Sequence, residues 1–340
     1  MNNSEKTAFR KAFSRIYLEE NAINYPRTES ILSHFPDAQI IPVADYKHVF
    51  NRPHQNTLLQ KQAPSLILAV GKPPYLYPGA AVCQSFGEEH FYYTGCVMNC
   101  PYDCEYCYLQ GMYPSGDVVV FVNPEDFFRE TENVLAEHPL YLCISFDTDL
   151  LALEPVLGYV RTWSEFVAAH PTLTLEVRTK SAAVSSLSAL PVLPNVILAV
   201  TMSPDEIIRR FEHRTPSLSE RIRLADAALA EGRPVRLCFD PMLMIPDYEN
   251  AYRNMFRRIF ETIPASRIRD VSVGSFRISA DYMKRMRRNR PCEITLYPYE
   301  LTDGVYHYDN SRLQAMLALA RSELAGIIPD EKIFYWEDNR

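Results

Sequence analysis

Short apolar runs rich in β-branched residues alternate with helical patterns from about residue 90 onward. The apolar runs predict strands at 90–95, 117–122, 140–146, 173–178, 196–201 and 234–239. The segments with helical spacing predict helices at 124–137, 159–169, 181–188, 217–231 and 248–262. Strands that alternate with helices of this size are typical of right-handed βαβ crossovers, so the pattern predicts a parallel sheet.

The same pattern predicts the fold class and the division into regions. Six βα units make an α/β protein with a partial (β/α)6 TIM-like barrel, which we expect over residues 86–265. Residues 1–85 contain several prolines and show weak periodicity, so they predict a separate N-terminal accessory region, an α/β extension. Residues 266–340 predict a C-terminal, substrate-side region. In it, 269–276 can add a strand and 292–308 can form a β-ribbon that turns at Asp303-Gly304.

Composition narrows the class of protein. Of the 340 residues, 47% are hydrophobic and 23% are charged, which is typical of a soluble globular chain. No run approaches the ~18 consecutive apolar residues of a membrane span, and the first residues lack an apolar signal core. Four of the eight cysteines fall within twelve residues, which favours a reducing cytoplasm over a disulfide scaffold.

Charge says little about a nucleic-acid partner. The net charge of −7 argues against a broad surface that coats nucleic acid. One basic run, residues 284–290, has two interpretations: the solvated face and last turn of a helix, or a local phosphate-binding patch.

The strongest chemical signal is the spacing of Cys100, Cys104 and Cys107, which is C-x3-C-x2-C. Thiolates are soft ligands for iron–sulfur clusters and zinc. Structural zinc usually takes two separated cysteine or histidine pairs, and no second pair follows at the expected distance. Three cysteines leave one iron of a [4Fe–4S] cluster without a protein ligand. The alternatives are a zinc knuckle and reduced core cysteines.

Cys96 lies four residues before Cys100 and does not fit the motif, because Cys96, Cys100 and Cys104 leave three residues where the second gap needs two. We interpret Cys96 as a spectator. The alternatives are a thiol that oxidises and a fourth ligand in a resting cluster.

The three-cysteine spacing resembles that of radical S-adenosylmethionine (SAM) enzymes, in which SAM fills the open iron position. The surroundings, residues 94–96 and 104–110, resemble the spore photoproduct lyase family. The likeness covers roughly residues 15–250 and rests on further segments at 17–20, 24–26, 59–61, 120–123, 179–180, 211–218 and 221–222. In the cluster loop the chain departs from the family, because Cys96 stands where the family has its first cluster cysteine.

The resemblance implies two cofactors, a [4Fe–4S] cluster and S-adenosyl-L-methionine. It implies that Cys100, Cys104 and Cys107 hold the cluster, that Tyr106 lies near SAM and that Lys180 meets the SAM carboxylate. Polar residues at predicted strand ends are candidates for the amino group or ribose of SAM: Ser145, Thr148, Asp149, Thr201 and Ser203. The alternative for Lys180 is plain solvent exposure, and small polar residues at strand ends often only cap turns.

The family's reaction is the splitting of a methylene-bridged thymine dimer in spore DNA by a 5′-deoxyadenosyl radical. Family members return a hydrogen atom from a cysteine on the third strand, and that position is Phe146 here. Tyr108 resembles a tyrosine of the family's radical relay, or else only packs beside the cluster. Cys143 is the nearest thiol along the strand, although strand periodicity predicts that it faces away from Phe146. Cys238 is a more remote candidate, because a cysteine in an apolar strand is usually core.

Three functions remain open from the sequence. The first is a lyase that acts on damaged DNA, with a flavodoxin- or ferredoxin-type reductant as a further partner. The second keeps the radical chemistry but acts on RNA, a peptide or a small molecule, which the missing donor cysteine favours. The third is a non-catalytic metal or redox protein. The aromatic ribbon with Tyr297, Tyr299, Tyr306, His307 and Tyr308 fits base stacking or half-buried packing equally well.

Overall fold

The computed structural model describes residues 13–80 and 83–336, and its elements are numbered here in chain order. The strands are β1 Arg15–Glu19, β2 Gln39–Val43, β3 Leu66–Ala69, β4 Leu76–Pro78, β5 Phe91–Thr94, β6 Val97–Met98, β7 Asp103–Cys104, β8 Val118–Phe121, β9 Leu140–Cys143, β10 Leu173–Thr179, β11 Val196–Thr201, β12 Glu212–His213, β13 Val235–Met242, β14 Asp270–Ser275, β15 Arg277–Ser279, β16 Glu300–Thr302, β17 Val305–His307 and β18 Ile333–Tyr335.

The helices are α1 Pro26–Leu32, α2 Lys47–Phe50, α3 Thr57–Gln62, α4 Leu109–Met112, α5 Pro124–Leu135, α6 Leu150–Leu157, α7 Tyr159–Ala168, α8 Val184–Leu187, α9 Asp205–Phe211, α10 Leu218–Ala230, α11 Tyr248–Thr262, α12 Ala280–Asn289, α13 Glu293–Leu296 and α14 Asn310–Leu324. Short 3-10 turns lie at Glu20–Ala22, Ala265–Arg267 and Asp330–Lys332.

The larger sheet is an open barrel in the order β18-β14-β13-β11-β10-β9-β5-β4. Its neighbours run parallel, except that β4 lies antiparallel to β5 at one edge. Helices cover the outer face, where alternate residues such as Leu175 and Val177 are buried in the main core. The prediction of an α/β fold with a partial barrel is confirmed.

A second sheet of five strands lies at the N-terminal side, in the order β2-β1-β3-β8-β6. The assignment of 117–122 to the barrel is wrong, because β8 pairs with β3 in this second sheet. All four β8 residues are buried, and a strand buried on both faces reads the same in either sheet. The sixth parallel barrel strand is instead β14, which confirms the expected strand at 269–276.

Several predicted elements differ at their ends. The strand at 140–146 ends at Cys143, because Ile144 to Asp149 leave the sheet before α6 begins. Helix α6 itself is missing from the predicted elements, since it is apolar on every side and contains Pro155. The turn at Asp303-Gly304 is confirmed between β16 and β17, with positive φ at both residues. The ribbon is shorter than predicted, because α13 occupies the start of 292–308.

Candidate active site

The three motif cysteines meet at one cavity, which helix α3 and the start of helix α4 help to line. Cys100, Cys104 and Cys107 all line a space of about 390 Å³ that opens to solvent. Burial raises the pKa of the Cys100 thiol to about 12, although nearby Lys61 opposes the change. Burial likewise raises the pKa of the Cys104 and Cys107 thiols, and Lys180 opposes both changes. Of these two lysines, Lys61 lines the cavity, whereas Lys180 acts on Cys104 and Cys107 from outside its lining.

This donor set fits an iron–sulfur cluster. Three thiols around one cavity, with cations that favour their thiolate forms, match the ligands that such clusters take. Within 13–80 and 83–336, no three Cys, His, Asp or Glu side chains already stand close enough together to hold a metal ion. The cysteines thus share a cavity wall and not a closed coordination sphere.

The four residues from Cys96 to Asn99 explain the shifted motif. Val97 and Met98 form β6, which pairs antiparallel with β8 at the edge of the N-terminal sheet. Cys96 is fully buried in the core and does not line the cavity. Asn99 turns the chain with a φ of 73°. The longer loop therefore adds an edge strand and places Cys100, not Cys96, at the cavity, which supports the spectator interpretation of Cys96.

Lys61 on α3 holds this loop from below. It is buried, and its ammonium donates to the Asn99 side-chain oxygen at 3.0 Å and to the Cys100 carbonyl at 2.6 Å. The Asn99 amide nitrogen in turn donates to the carbonyls of Ser115 and Asp117. The sequence placed Lys61 in a family segment without a role. The sequence feature that could have indicated a role is a basic residue in the last turn of a short helix, and this feature is too common to be informative alone.

Glu212 organises the opposite side of the loop. Strand β12 pairs with β7, so Glu212 lies opposite Cys104 in the ladder. The Glu212 carboxylate accepts hydrogen bonds from the Tyr106 hydroxyl and from Ser203 Oγ, and pairs with Arg221. Burial alone would raise the pKa of Glu212, but Arg221 and Lys180 lower it to about 2. Sequence reasoning matched this segment to the family but missed the carboxylate as its centre.

Lys180 lies beside Tyr106, with its ammonium 5.5 Å from the ring centre. Burial opposes its charge, yet Glu212 and Cys104 raise its pKa, so it stays a cation. The structure thus brings Lys180 close to Tyr106, Cys104 and Cys107, and plain solvent exposure does not describe Lys180.

The smaller strand-end residues differ in whether the protein already binds their polar side-chain atoms. Asp149 caps α6 through the Ala152 N–H and also accepts from the Thr179 hydroxyl and the Lys180 N–H, so its oxygens are engaged by the protein. Ser145 Oγ accepts a hydrogen bond from the backbone N–H of Arg178, and Ser203 Oγ donates a hydrogen bond to Glu212. In contrast, buried Thr148 Oγ1 has no hydrogen-bond partner among the described residues. The Thr201 carbonyl accepts from Arg221.

Phe146, where the resemblance leads us to expect the donor cysteine of the family, packs beside two tyrosines. Its ring stacks on Tyr93 with centroids 4.0 Å apart, and its carbonyl accepts a hydrogen bond from the Tyr108 hydroxyl. Tyr93 and Cys143 are register partners in β5 and β9 and therefore share a face of the sheet. The prediction that Cys143 faces away from Phe146 is wrong, because the strand ends at Cys143 and the chain folds back. The Cys143 thiol itself lies 3.8 Å from Glu176.

Cys83, after β4, is a residue that the sequence did not single out. Burial raises the pKa of its thiol, whereas Arg277 and Arg178 lower it. Burial raises the pKa of Tyr93 and Tyr108, and Cys83 makes a smaller contribution to both changes, so the thiol lies near both rings. A cysteine without motif partners in a loop carries no signal of such a position.

The basic run and the aromatic ribbon make many of their contacts within the protein. Arg290 joins Asp103 and Glu105 of the cluster loop at 2.7 and 3.3 Å, and Arg285 donates to the Gly111 carbonyl. Tyr299 and Tyr308 are buried, which favours the packing interpretation for these two rings. The described residues include no helix that is both long and apolar enough to cross a membrane.

The chain is similar to known proteins over most of its length. Residues 12–289 match the family model of spore photoproduct lyase. The chain is 22% identical to the spore photoproduct lyase of Bacillus subtilis (strain 168) over 342 residues, which cover 94% of this chain and 97% of the relative. It is also 22% identical to the spore photoproduct lyase of Clostridium acetobutylicum over 253 residues, 72% of this chain and 73% of the relative.

Solved structures share the fold. Spore photoproduct lyase complexed with dinucleoside spore photoproduct superposes with a TM-score of 0.79 at 17% identity, covering 96% of this chain and 99% of that one. A variant of that enzyme with bound AdoMet and the same dinucleoside gives a TM-score of 0.79 at 18% identity, over 96% and 99% of the two chains. The chain therefore belongs to the spore photoproduct lyase family, a family of radical SAM lyases whose cofactors are SAM and an iron–sulfur cluster.

Proposed function

We propose that this protein is a radical SAM lyase that acts on a thymine-dimer lesion in DNA. The observation that carries the proposal is that Lys180, which follows the parallel strand β10, lies beside Tyr106 and close to Cys104 and Cys107 of the three-cysteine motif. Ligands of parallel α/β sheets collect at the edge formed by the carboxyl ends of the strands. The family membership and the dinucleoside lesion bound to a solved relative support the substrate class.

Each group at this edge has a proposed role. Cys100, Cys104 and Cys107 would hold a [4Fe–4S] cluster, and Lys180 would take the carboxylate of SAM. Thr148 is the best placed of the small polar residues to bind SAM, because its hydroxyl has no protein partner in the described chain. Ser145, Asp149, Thr201 and Ser203 would shape the site mainly through the protein contacts described above.

When bound, the two cofactors supply a carbon-centred radical that removes a hydrogen atom from the substrate. The protein's task is then to orient the substrate and to return a hydrogen atom. We assign the return to Tyr108, whose hydroxyl lies at the Phe146 carbonyl, with Cys143 as the thiol candidate named by the sequence. A DNA lesion has to leave the base stack to reach this edge, which costs least for already distorted bases.

An anaerobic turnover assay tests the proposal. Reconstituted protein is mixed with SAM, dithionite and a synthetic spore photoproduct dinucleotide, and both 5′-deoxyadenosine and thymidylyl-thymidine are quantified. We expect both products, and we expect neither from Cys100→Ala. Cys96→Ala is the matched control, since Cys96 is buried away from the cavity, and it should retain both products.

A second candidate keeps the radical chemistry but changes the substrate to RNA, a peptide or a small molecule. The observation that favours it is Phe146, which replaces the family's donor thiol with a ring stacked on Tyr93. Deoxyadenosine formation without repaired dinucleotide, together with no preference for lesion-containing over undamaged oligonucleotide, would select this candidate. In either case we propose a flavodoxin- or ferredoxin-type protein as the electron donor.

A further inference from the structure

The inward face of β10 carries an arginine that the proposed cofactor chemistry does not use. Alternate residues of this strand, such as Leu175 and Val177, pack under the helices. Glu176 and Arg178 therefore face the inside of the barrel. The Arg178 side chain is 30% exposed, so it is shielded but still open to a ligand.

Hydrogen bonds fix the backbone N–H and the Nε atom of Arg178. Its Nε donates to Glu176 at 3.1 Å, and its backbone N–H donates to Ser145 Oγ at 2.7 Å. Glu176 is itself buried and is fixed by hydrogen bonds from Arg236 at 2.7 Å and from the Tyr141 hydroxyl at 2.5 Å. The direction of the guanidinium is thus set by the protein before any ligand arrives.

The guanidinium carbon of Arg178 lies 5.8 Å from the centre of the Phe86 ring, but its two terminal nitrogens still have their hydrogen-bonding capacity. Across residues 13–80 and 83–336, the two terminal nitrogens of Arg178 have no hydrogen-bond partner. The next nearest carboxylate, Asp240, is already taken, because Arg277 binds both of its oxygens at 2.9 and 3.1 Å. Four N–H donors in one plane are the arrangement that binds a two-oxygen anion in bidentate fashion.

The position of Arg178 in the barrel indicates which kind of anion it binds. Lys180 follows two residues later beside Tyr106 and the cluster cysteines, where the proposed function places the carboxylate of SAM. Arg178 points instead to the part of the barrel that contains Cys83 and Cys143, close to the Tyr93–Phe146 stack. A second anion site beyond the cofactor lies where the substrate has to sit.

We propose that Arg178 binds a phosphodiester of the substrate through its two terminal nitrogens. This inference rests on the proposed function, and it adds that the substrate is an anion recognised through its backbone phosphate as well as its bases. The site favours a dinucleotide lesion over the corresponding dinucleoside, which lacks the phosphate.

Binding tests the assignment without turnover. The probes are thymidylyl-thymidine, which has one anionic phosphodiester, and its methylphosphonate analogue, which keeps both nucleosides but has an uncharged linkage; both are titrated calorimetrically into anaerobic, reconstituted, SAM-loaded protein. We expect thymidylyl-thymidine to bind at least ~10-fold more tightly, as befits charge-assisted hydrogen bonds. Arg178→Gln should abolish this preference, Arg178→Lys should keep part of it, and Arg257→Gln, on the exposed face of α11, should keep all of it.

Salt dependence separates a phosphate contact from a merely structural role. Loss of this contact should lower the slope of log Kd against log salt for thymidylyl-thymidine, because salt screens the attraction between a guanidinium and a phosphate. A slope and preference that are unchanged in Arg178→Gln overturn the inference. So does a wild-type protein that does not prefer thymidylyl-thymidine, or an Arg178→Gln protein that loses SAM affinity while it keeps the preference, since Arg178 then serves the cofactor.

Turnover distinguishes this inference from the proposed function. If spore photoproduct dinucleotide is repaired, the wild type should have a KM at least ~10-fold lower for it than for the dinucleoside, and Arg178→Gln should remove the difference. If neither lesion is repaired but Arg178→Gln still abolishes the binding preference, the lesion proposal fails and the phosphate site stands.

Discussion

Glu212→Gln should destabilise the chain strongly, because it breaks a fully buried ion pair. The side chains of Glu212 and Arg221 are both completely shielded from solvent. A carboxyl whose pKa falls from 4.5 to about 2 on folding stabilises the native state by about 3 kcal/mol at neutral pH. Removing one partner of a buried pair typically costs about 3–5 kcal/mol, so the two approaches agree.

The pH dependence follows from the direction of the pKa change. Because the folded-state pKa lies below the unfolded value, the stabilisation is complete above about pH 4.5 and is lost as the pH falls toward about 2. The difference between wild type and Glu212→Gln should therefore be constant from pH 6 to 8 and should shrink below pH 4.5.

Urea unfolding of the cluster-free chain measures this difference through tryptophan fluorescence. Glu165→Gln, on the exposed face of α7, is the matched control and should stay within about 0.5 kcal/mol of wild type. The double variant Glu212→Gln/Arg221→Met should recover part of the loss, because it removes the unpaired buried charge. A Glu212→Gln chain within about 0.5 kcal/mol of wild type at pH 7 would refute the assignment of Glu212 as the centre of this side of the site.

Three further predictions concern the loop, the barrel mouth and the hydrogen return. Lys61→Met should lower the iron bound per chain after reconstitution, because the Asn99–Cys100 turn loses its buried donor; unchanged iron content would contradict this. Burial raises the pKa of Asp147 to about 6, so the native state loses stability as the pH rises from 3.8 through about 6. Asp147→Asn should therefore gain stability over wild type across that range, by up to about 3 kcal/mol, and a thermal melt series that shows no such pH trend would contradict it. Tyr108→Phe should lower the ratio of repaired dinucleotide to 5′-deoxyadenosine. Comparing that ratio in Cys143→Ser and Cys83→Ser shows whether either thiol takes part, and a ratio unchanged in Tyr108→Phe would remove Tyr108 from the hydrogen return.

The local chemistry was readable from the chain. The C-x3-C-x2-C spacing selected Cys100, Cys104 and Cys107, and these three thiols do share a cavity. Strand and helix patterns also predicted the parallel barrel, because apolar periodicity reports which face of an element is buried. The turn at Asp303-Gly304 follows from residues that tolerate positive φ.

Pairing between distant segments was not readable in the same way. The run 117–122 predicts a buried strand, but only the folded chain shows that β8 pairs with β3 and β6 instead of the barrel. The face of Cys143 relative to Phe146 was misjudged, because one turn after the strand reverses the simple alternation.

The sequence by itself determined the class of fold, the family and the three-cysteine motif, since these depend on spacing and periodicity within short segments. Only the tertiary structure decided that Glu212 binds Tyr106, Ser203 and Arg221. It also decided that Arg178 uses its Nε for Glu176 and directs its terminal nitrogens into the barrel. The physical reason is that the role of a buried charged group depends on the groups that surround it in the folded chain. Tyr106 lies 106 residues from Glu212, and even Ser203 and Arg221, each nine residues from it, follow no local pattern that records the contact.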